Sequence, residues 1–249
     1  RAAEAQLRGL HPQSRARFCP ADLALQSQVR TLREDVNAVL QGWGKICLDG
    51  LVNNAGTFTY WLSLTPEGFE TQWAVNHLAA FLLTHQLLGL LLAAPTARVV
   101  TVSSASHYSG RLNWDDLQLR RRYNGLRAYE NTKLANVLFT LEFNRQMGAR
   151  STVKAFAADP GLVKTDMGFK GTPALVQWFW SLRRRGGTEP EVPAQGIMYL
   201  LSEPSLQDSP EFYWKDCQPK KPSRRALDGA DAARLWAQSE AMCGIGLEA

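Results

Sequence analysis

Tyr129 and Lys133 stand four residues apart at the head of an apolar run, and Ser104 lies 25 residues before the tyrosine. Residues four apart share one face of a helix, so the phenol and the ammonium can reach the same atom of a bound molecule. A free phenol titrates near ~10 and exchanges protons poorly at neutrality, whereas a neighbouring cation favours the phenolate and lowers that value. Lowering it by about three pH units takes roughly 4 kcal/mol of differential stabilisation, a demanding but attainable figure for close charges in a dry pocket. A serine hydroxyl can donate to a carbonyl oxygen while the phenol passes the proton. These three residue types therefore suit proton exchange at a carbonyl or an alcohol. The spacing alone also fits a helix-start tyrosine followed by an exposed lysine, so the surrounding elements must decide.

Those elements read as an α/β chain. Ala97–Ser104 is β-branched and apolar, the pattern of a strand buried on both faces. Its C-terminal end would deliver Ser104 to the sheet edge where open α/β folds place ligands. Leu48–Asn53 reads as another short strand closing on Asn53-Asn54-Ala55-Gly56, whose small residues allow close backbone approach; by itself that tetrapeptide is also an ordinary turn. Arg1–Leu10 and Ala24–Leu40 predict helices on either side of a strand at Arg17–Cys19. Tyr129–Met147 predicts a helix whose apolar residues, among them Leu134, Val137, Leu138 and Phe143, cover more than one stripe, so both its sides are expected to be buried. Val192–Leu201 reads as a core helix, Phe212–Trp214 as the last strand, and Gly229–Met242 as an amphipathic helix after a polar loop at Pro219–Arg225.

With 249 residues, 45% hydrophobic and 20% charged, the chain suits a single domain over 1–249 with a sizeable core, and disorder is not expected. A net charge of +5 and a pI near 9.1 raise nucleic acid as a partner. The basic residues are dispersed, however, apart from Arg120-Arg121-Arg122, Arg183-Arg184-Arg185 and Lys220-Lys221, runs of a kind that commonly face solvent. No nucleic-acid partner is expected; a phosphate-bearing cofactor or an anionic membrane surface suits such runs better. Cys19, Cys47, Cys217 and Cys243 are far apart and lack metal-ligand spacing, so neither a zinc site nor a disulfide framework is expected. No run reaches ~18 consecutive apolar residues and no signal peptide leads the chain, which leaves its location open, as an intracellular protein, between the cytoplasm and the endoplasmic reticulum or another lipid-associated site.

Together these residues resemble the short-chain dehydrogenase/reductase family over nearly the whole chain. The resemblance implies a Rossmann-like, doubly wound parallel sheet, a bound NADP or NAD with NADP favoured, and hydride transfer. It puts the family's Ser-Tyr-Lys set on Ser104, Tyr129 and Lys133, and its supporting asparagine, the anchor of a proton-relay water, on Asn76 in Ala74-Val75-Asn76-His77. It implies cofactor contacts at Asp22, for the adenine ring, at Asn53, Ala55 and Gly56, at Tyr129 and Lys133, and at Pro160, Gly161 and Thr165 of the segment facing the nicotinamide. Phe81-Leu82-Leu83-Thr84, Lys133–Phe139, Phe212–Cys217 and Arg234-Leu235-Trp236 are similar to the retinol-dehydrogenase-like group of that family. That similarity implies a hydrophobic small-molecule substrate such as a retinoid, a steroid or another lipid carbonyl or alcohol. Pro173–Leu182 resembles the family's substrate lid, with Gly186-Gly187 as its hinge and a peripheral membrane contact as a second use. The family also implies a homodimer through the Tyr129–Met147 helix.

One part of the family's pattern does not precede Arg1: the first strand, the T-G-x-x-x-G-x-G turn with its helix, and the second strand. The expectation is therefore a sheet truncated at its N-terminus. In the doubly wound order 3-2-1-4-5-6 this separates Arg17–Cys19 from Leu48–Asn53, and Gly42-Trp43-Gly44 lacks the spacing to replace the missing turn. Two readings stay open, an NAD(P)-dependent oxidoreductase and a catalytically inactive form acting as a binding or regulatory remnant. An unpaired strand edge predicts poor solubility for the chain expressed alone. A monodisperse preparation with a cooperative thermal transition would contradict that expectation.

Overall fold

The computed structural model describes residues 2–11, 13–148, 151–163 and 187–245. Five strands lie side by side in chain order: β1 (Gly50–Asn53), β2 (Ala97–Val102), β3 (Val153–Ala158), β4 (Tyr213–Lys215) and β5 (Gln218–Pro219). β1 to β4 are parallel neighbours, and β5 folds back antiparallel on β4. Successive side chains of a strand point to opposite faces, and both faces here are apolar. Val99, Ala155 and Ala157 enter one core with Leu82, Leu138 and Leu235. Val100, Phe156 and Ala158 enter a second core with Leu200 and Trp214.

Helices cover both faces, which makes the sheet doubly wound. On the larger side lie α2 (Gln26–Gly42), α3 (Thr71–Leu92), α4 (Gly125–Met147) and α6 (Gly229–Cys243); on the other lies α5 (Glu191–Ser202). The short α1 (Ala2–Leu10) precedes them. α3 is the one helix among the described residues long and apolar enough to cross a membrane, and half of its most apolar stretch is buried inside the protein, as in a core helix. Glu70 caps its start, accepting the Gln72 and Trp73 N–H groups at 3.0 and 2.7 Å. A π-turn at Ala74–Leu78 interrupts it and carries Asn76. α4 is buried on two sides within the one chain: it packs on the sheet, and Phe139 stacks on Trp236 of α6 with ring centres 5.9 Å apart.

The structure corrects the expected elements at three places. Arg17–Cys19 forms no strand; the Phe18 N–H goes to the Glu4 carboxylate at 3.2 Å and its ring is half exposed. A strand needs a neighbour to supply the other half of its ladder, and among the described residues none lies beside it. α4 begins at Gly125, not Tyr129, because Asn124 Oδ1 accepts the Arg127 N–H at 3.0 Å and starts the helix a turn earlier. β2 stops at Val102, so Ser103 and Ser104 belong to the loop that leaves it.

Gly125 is where α4 meets the loop after β1. A Cβ there would lie 2.3 Å from the Thr59 carbonyl oxygen and 2.9 Å from that of Tyr60, both backbone atoms. Gly125→Ala must therefore push the two segments apart, at an expected cost of about 1–3 kcal/mol. A drop in the urea midpoint with an unchanged slope would register it.

Candidate active site

A cleft of about 1680 Å³ opens beyond the C-terminal ends of β1, β2 and β3, the edge at which open α/β sheets bind ligands. β1 runs into Asn54-Ala55-Gly56, β2 into Ser103-Ser104, and β3 into Asp159-Pro160-Gly161, and all of these line the cleft. α4 adds Tyr129, Glu130 and Lys133 from the side.

Ser104, Tyr129 and Lys133 are brought together. The Ser104 hydroxyl accepts the Ser106 N–H at 3.2 Å, capping a short 3-10 turn at Ala105–Tyr108, and lines the same cleft as the Tyr129 phenol. The Tyr129 ring meets Phe58 edge to face, centres 6.0 Å apart. Lys133 is 3% exposed; its Nζ donates to the Val102 carbonyl at 3.0 Å and lies 5.4 Å from the centre of the Tyr129 ring. The electrostatics differ from the expectation that Lys133 lowers the phenol. Burial, with the charge of Asp159, pushes Tyr129 up to about 12 against the opposing influence of the Ser104 hydroxyl. Burial also pushes Lys133 down to about 8. The ammonium sits by the ring and bonds a backbone carbonyl, so in the protein alone desolvation of the phenolate prevails.

The other expected residues divide. Ala55, Gly56, Pro160 and Gly161 line the cleft with the three above. Gly161 has φ +70, the left-handed region that suits a residue without a Cβ. Asn53 lies a layer deeper, its amide donating to Thr84 Oγ1 and Thr101 Oγ1 at 3.1 and 3.3 Å, and so joins β1 to α3 and β2. Asn76 is also behind the cleft. Its Oδ1 accepts the Thr57 N–H at 2.7 Å, and its Nδ2 donates to Thr57 O and Thr132 Oγ1 at 2.9 and 3.1 Å. The side chain thereby clamps the end of the Asn53–Gly56 turn to α4, and its donors are committed within the protein. Asp22 stands apart from the cleft: it is exposed, accepts the Ala24 N–H at 2.9 Å, and turns the chain into α2. Thr165 lies outside the described residues, as do Pro173–Leu182, Arg183–Arg185 and Gly186.

Several lining residues were not expected. Asp159 is 4% exposed and accepts the Gly161 N–H at 3.1 Å and the Lys220 ammonium at 2.8 Å. Burial works to raise its carboxyl, but the Lys220 bond and the Gly161 N–H outweigh that and hold it below the usual carboxylate range. Its partner is 61 residues away, read in sequence only as part of a basic pair. Tyr60, Trp61, Leu62, Leu126 and Met198 make an apolar lip, with Trp61 66% and Met198 58% exposed. Met198 was hidden within a segment that reads as core. The four cysteines are free thiols, and among the described residues no group of three or more His, Cys, Asp or Glu side chains gathers to hold a metal.

Comparison with known proteins agrees with this architecture. The family model described as short chain dehydrogenase matches residues 1–174. Human "Retinol dehydrogenase 14" is 39% identical over 201 residues, covering 80% of this chain and 59% of that protein. The chain thus spans about three-fifths of the length of this relative and of its mouse counterpart. Among solved structures, an uncharacterised protein from Mycobacterium paratuberculosis superposes with a TM-score of 0.69 at 34% identity, over 97% of this chain and 80% of the other. An angucycline C-6 ketoreductase with bound NADP gives 0.64 at 25% identity, over 86% and 79%. The matched family model and the shared doubly wound sheet lead to one conclusion: this chain belongs to the short-chain dehydrogenase family.

Proposed function

We propose that this cleft moves a hydride between a nicotinamide dinucleotide, NADP before NAD, and a lipid-like carbonyl or secondary alcohol. One observation carries the reading: Ser104, Tyr129 and Lys133 line one cleft, with the Lys133 ammonium 5.4 Å from the centre of the Tyr129 ring and with Pro160 and Gly161 on the same lining. The small Asn54-Ala55-Gly56 turn and Gly161 admit a flat ring close to the backbone, and the cleft exceeds the roughly 300–1,000 Å³ of a site for one small ligand. The NADP held by the angucycline ketoreductase supports the cofactor choice. The name of the human relative and the apolar lip of Trp61, Leu126 and Met198 support an apolar substrate.

The cofactor, when bound, supplies or accepts the hydride. Ser104 donates to the substrate oxygen and polarises it. Tyr129 gives that oxygen its proton in reduction and takes it in oxidation. Lys133, on the same helical face, favours the phenolate and is placed to hold ribose hydroxyls. Because the phenol stands near 12 in the protein alone, its acidification draws on the charge of an oxidised nicotinamide as well as on Lys133. Asn76 acts by fixing the Thr57 end of the turn. A form that binds a partner without turnover is the competing reading. Titrating NADPH fluorescence with this chain separates the two, since that form has no nucleotide affinity.

Tyr129→Phe is expected to lower kcat by about 10²–10⁴-fold while leaving nucleotide affinity nearly unchanged; retained turnover would refute the assignment. Lys133 yields a second prediction, through stability. Its folded value of about 8 lies below the ~10.4 of an unfolded lysine. The unfolded chain therefore holds more protons between those values, and stability rises with pH across that window, by up to about 3 kcal/mol. Lys133→Met should flatten the rise in urea midpoints measured from pH ~8 to ~10, with Tyr129 acting in the opposite direction above that range.

A further inference from the structure

Behind the cleft a buried histidine joins the C-terminal part of the chain to Ser104. His107 has no exposed surface; its Nδ1 lies 2.8 Å from the Ser104 carbonyl oxygen and its Nε2 3.1 Å from the Ser223 backbone nitrogen. A carbonyl only accepts and a backbone N–H only donates. The two contacts therefore define the ring as neutral, with its proton on Nδ1 toward Ser104 and its lone pair on Nε2 toward Ser223. Three residues before Ser223, Lys220 bonds the Asp159 carboxylate at 2.8 Å. Asp159 follows β3 next to the end of β2, where the Ser103 N–H donates to the Ala158 carbonyl at 2.8 Å. Lys220–Ser223 thus holds both strand ends that face the cleft, one through Asp159 and the other through His107.

We propose that His107 is a positioning residue for Ser104, kept by Lys220 and Ser223 in the neutral form with its proton on Nδ1. The role rests on the reading of Ser104 as the group that polarises the substrate oxygen. The groups around the ring fit it. Tyr108 on its own turn and Tyr213 on β4 pack against it with ring centres 4.1 and 4.8 Å away. Two charges face it, Asp159 from the end of β3, which favours imidazolium, and Lys220 from the end of β5, which opposes it. Burial acts in the same direction as Lys220, and the net result lies below the ordinary histidine value. A proton on Nε2 would set two donors against each other across 3.1 Å. Charging the ring therefore releases Ser223 and loosens the segment that bears Lys220, while the Nδ1–H keeps its bond to the Ser104 carbonyl on a ring no longer held from its other side.

Ring-nitrogen NMR of the protein labelled at its four histidines tests this, with the His107 signal assigned by its loss in His107→Gln. The expected result is the Nδ1–H tautomer at neutral pH and protonation only in acid, with the Ser104 backbone amide following the same curve. Lys220→Met should move that protonation upward by about one pH unit, and Lys220→Arg should restore it. An Nε2–H tautomer, a titration that ignores Lys220→Met, or a Ser104 amide indifferent to His107 would each overturn the proposal. The tautomer and the Ser104 response are read in the unaltered protein, so a variant that fails to fold does not rescue it. None of these signals depends on turnover: an inactive chain would sink the dehydrogenase reading and leave the histidine geometry decided on its own terms.

Discussion

The parallel pairing of β2 with β3, which sets Val102 opposite Ala158, decides where every group of the cleft emerges. A strand shifted by one residue turns each side chain to the other face, and here that shift would send Val99 and Val100 into the wrong cores and Ser104 away from Tyr129. The register is well determined because both faces of these strands are buried against different helices. β2 has no position open to solvent at which an error could be tolerated. The loops beyond the two strands inherit that precision.

The polar residues around the cleft act in two layers. Ser104, Tyr129 and Lys133 face the space itself, whereas Asn53, Asn76 and His107 stand behind it and bond the backbone or the neighbouring strands. Asn53, Asn76 and His107 each find partners within the fold, which is how polar groups at this depth become tolerable. The Asp159–Lys220 pair follows the same rule for charge. An unpaired carboxylate at 4% exposure would be strongly disfavoured, and the ammonium that offsets it comes from the far end of the sheet.

The same burial that organises these groups works against their chemistry. It raises the phenol and lowers the ammonium, so neither is tuned for proton exchange by the protein alone. A site built this way is prepared for a charged ligand to complete its electrostatics, because the low-dielectric surroundings that penalise the phenolate also amplify an added positive charge. The lip of Trp61, Leu126 and Met198 adds apolar surface at the mouth of the same cleft.

Local patterns carried much of this. The four-residue step from Tyr129 to Lys133, the β-branched run of β2 and the small residues of Asn54-Ala55-Gly56 are short-range signals, and each has the geometry its pattern implies. β3 went unread because Val153–Ala158 is half alanine and lacks the β-branched character that announces a strand; only its place between β2 and β4 makes it one. Arg17–Cys19 failed in the opposite sense, having a plausible pattern and, among the described residues, no neighbour to pair with. The roles of Asn53, Asn76, His107 and Lys220 depend on contacts between residues far apart in the chain, and so does the direction in which Tyr129 titrates. Sequence alone determined which residues could exchange a proton; tertiary structure decided which of them face the cleft and how readily they ionise, because burial and charge pairing arise only when distant segments meet.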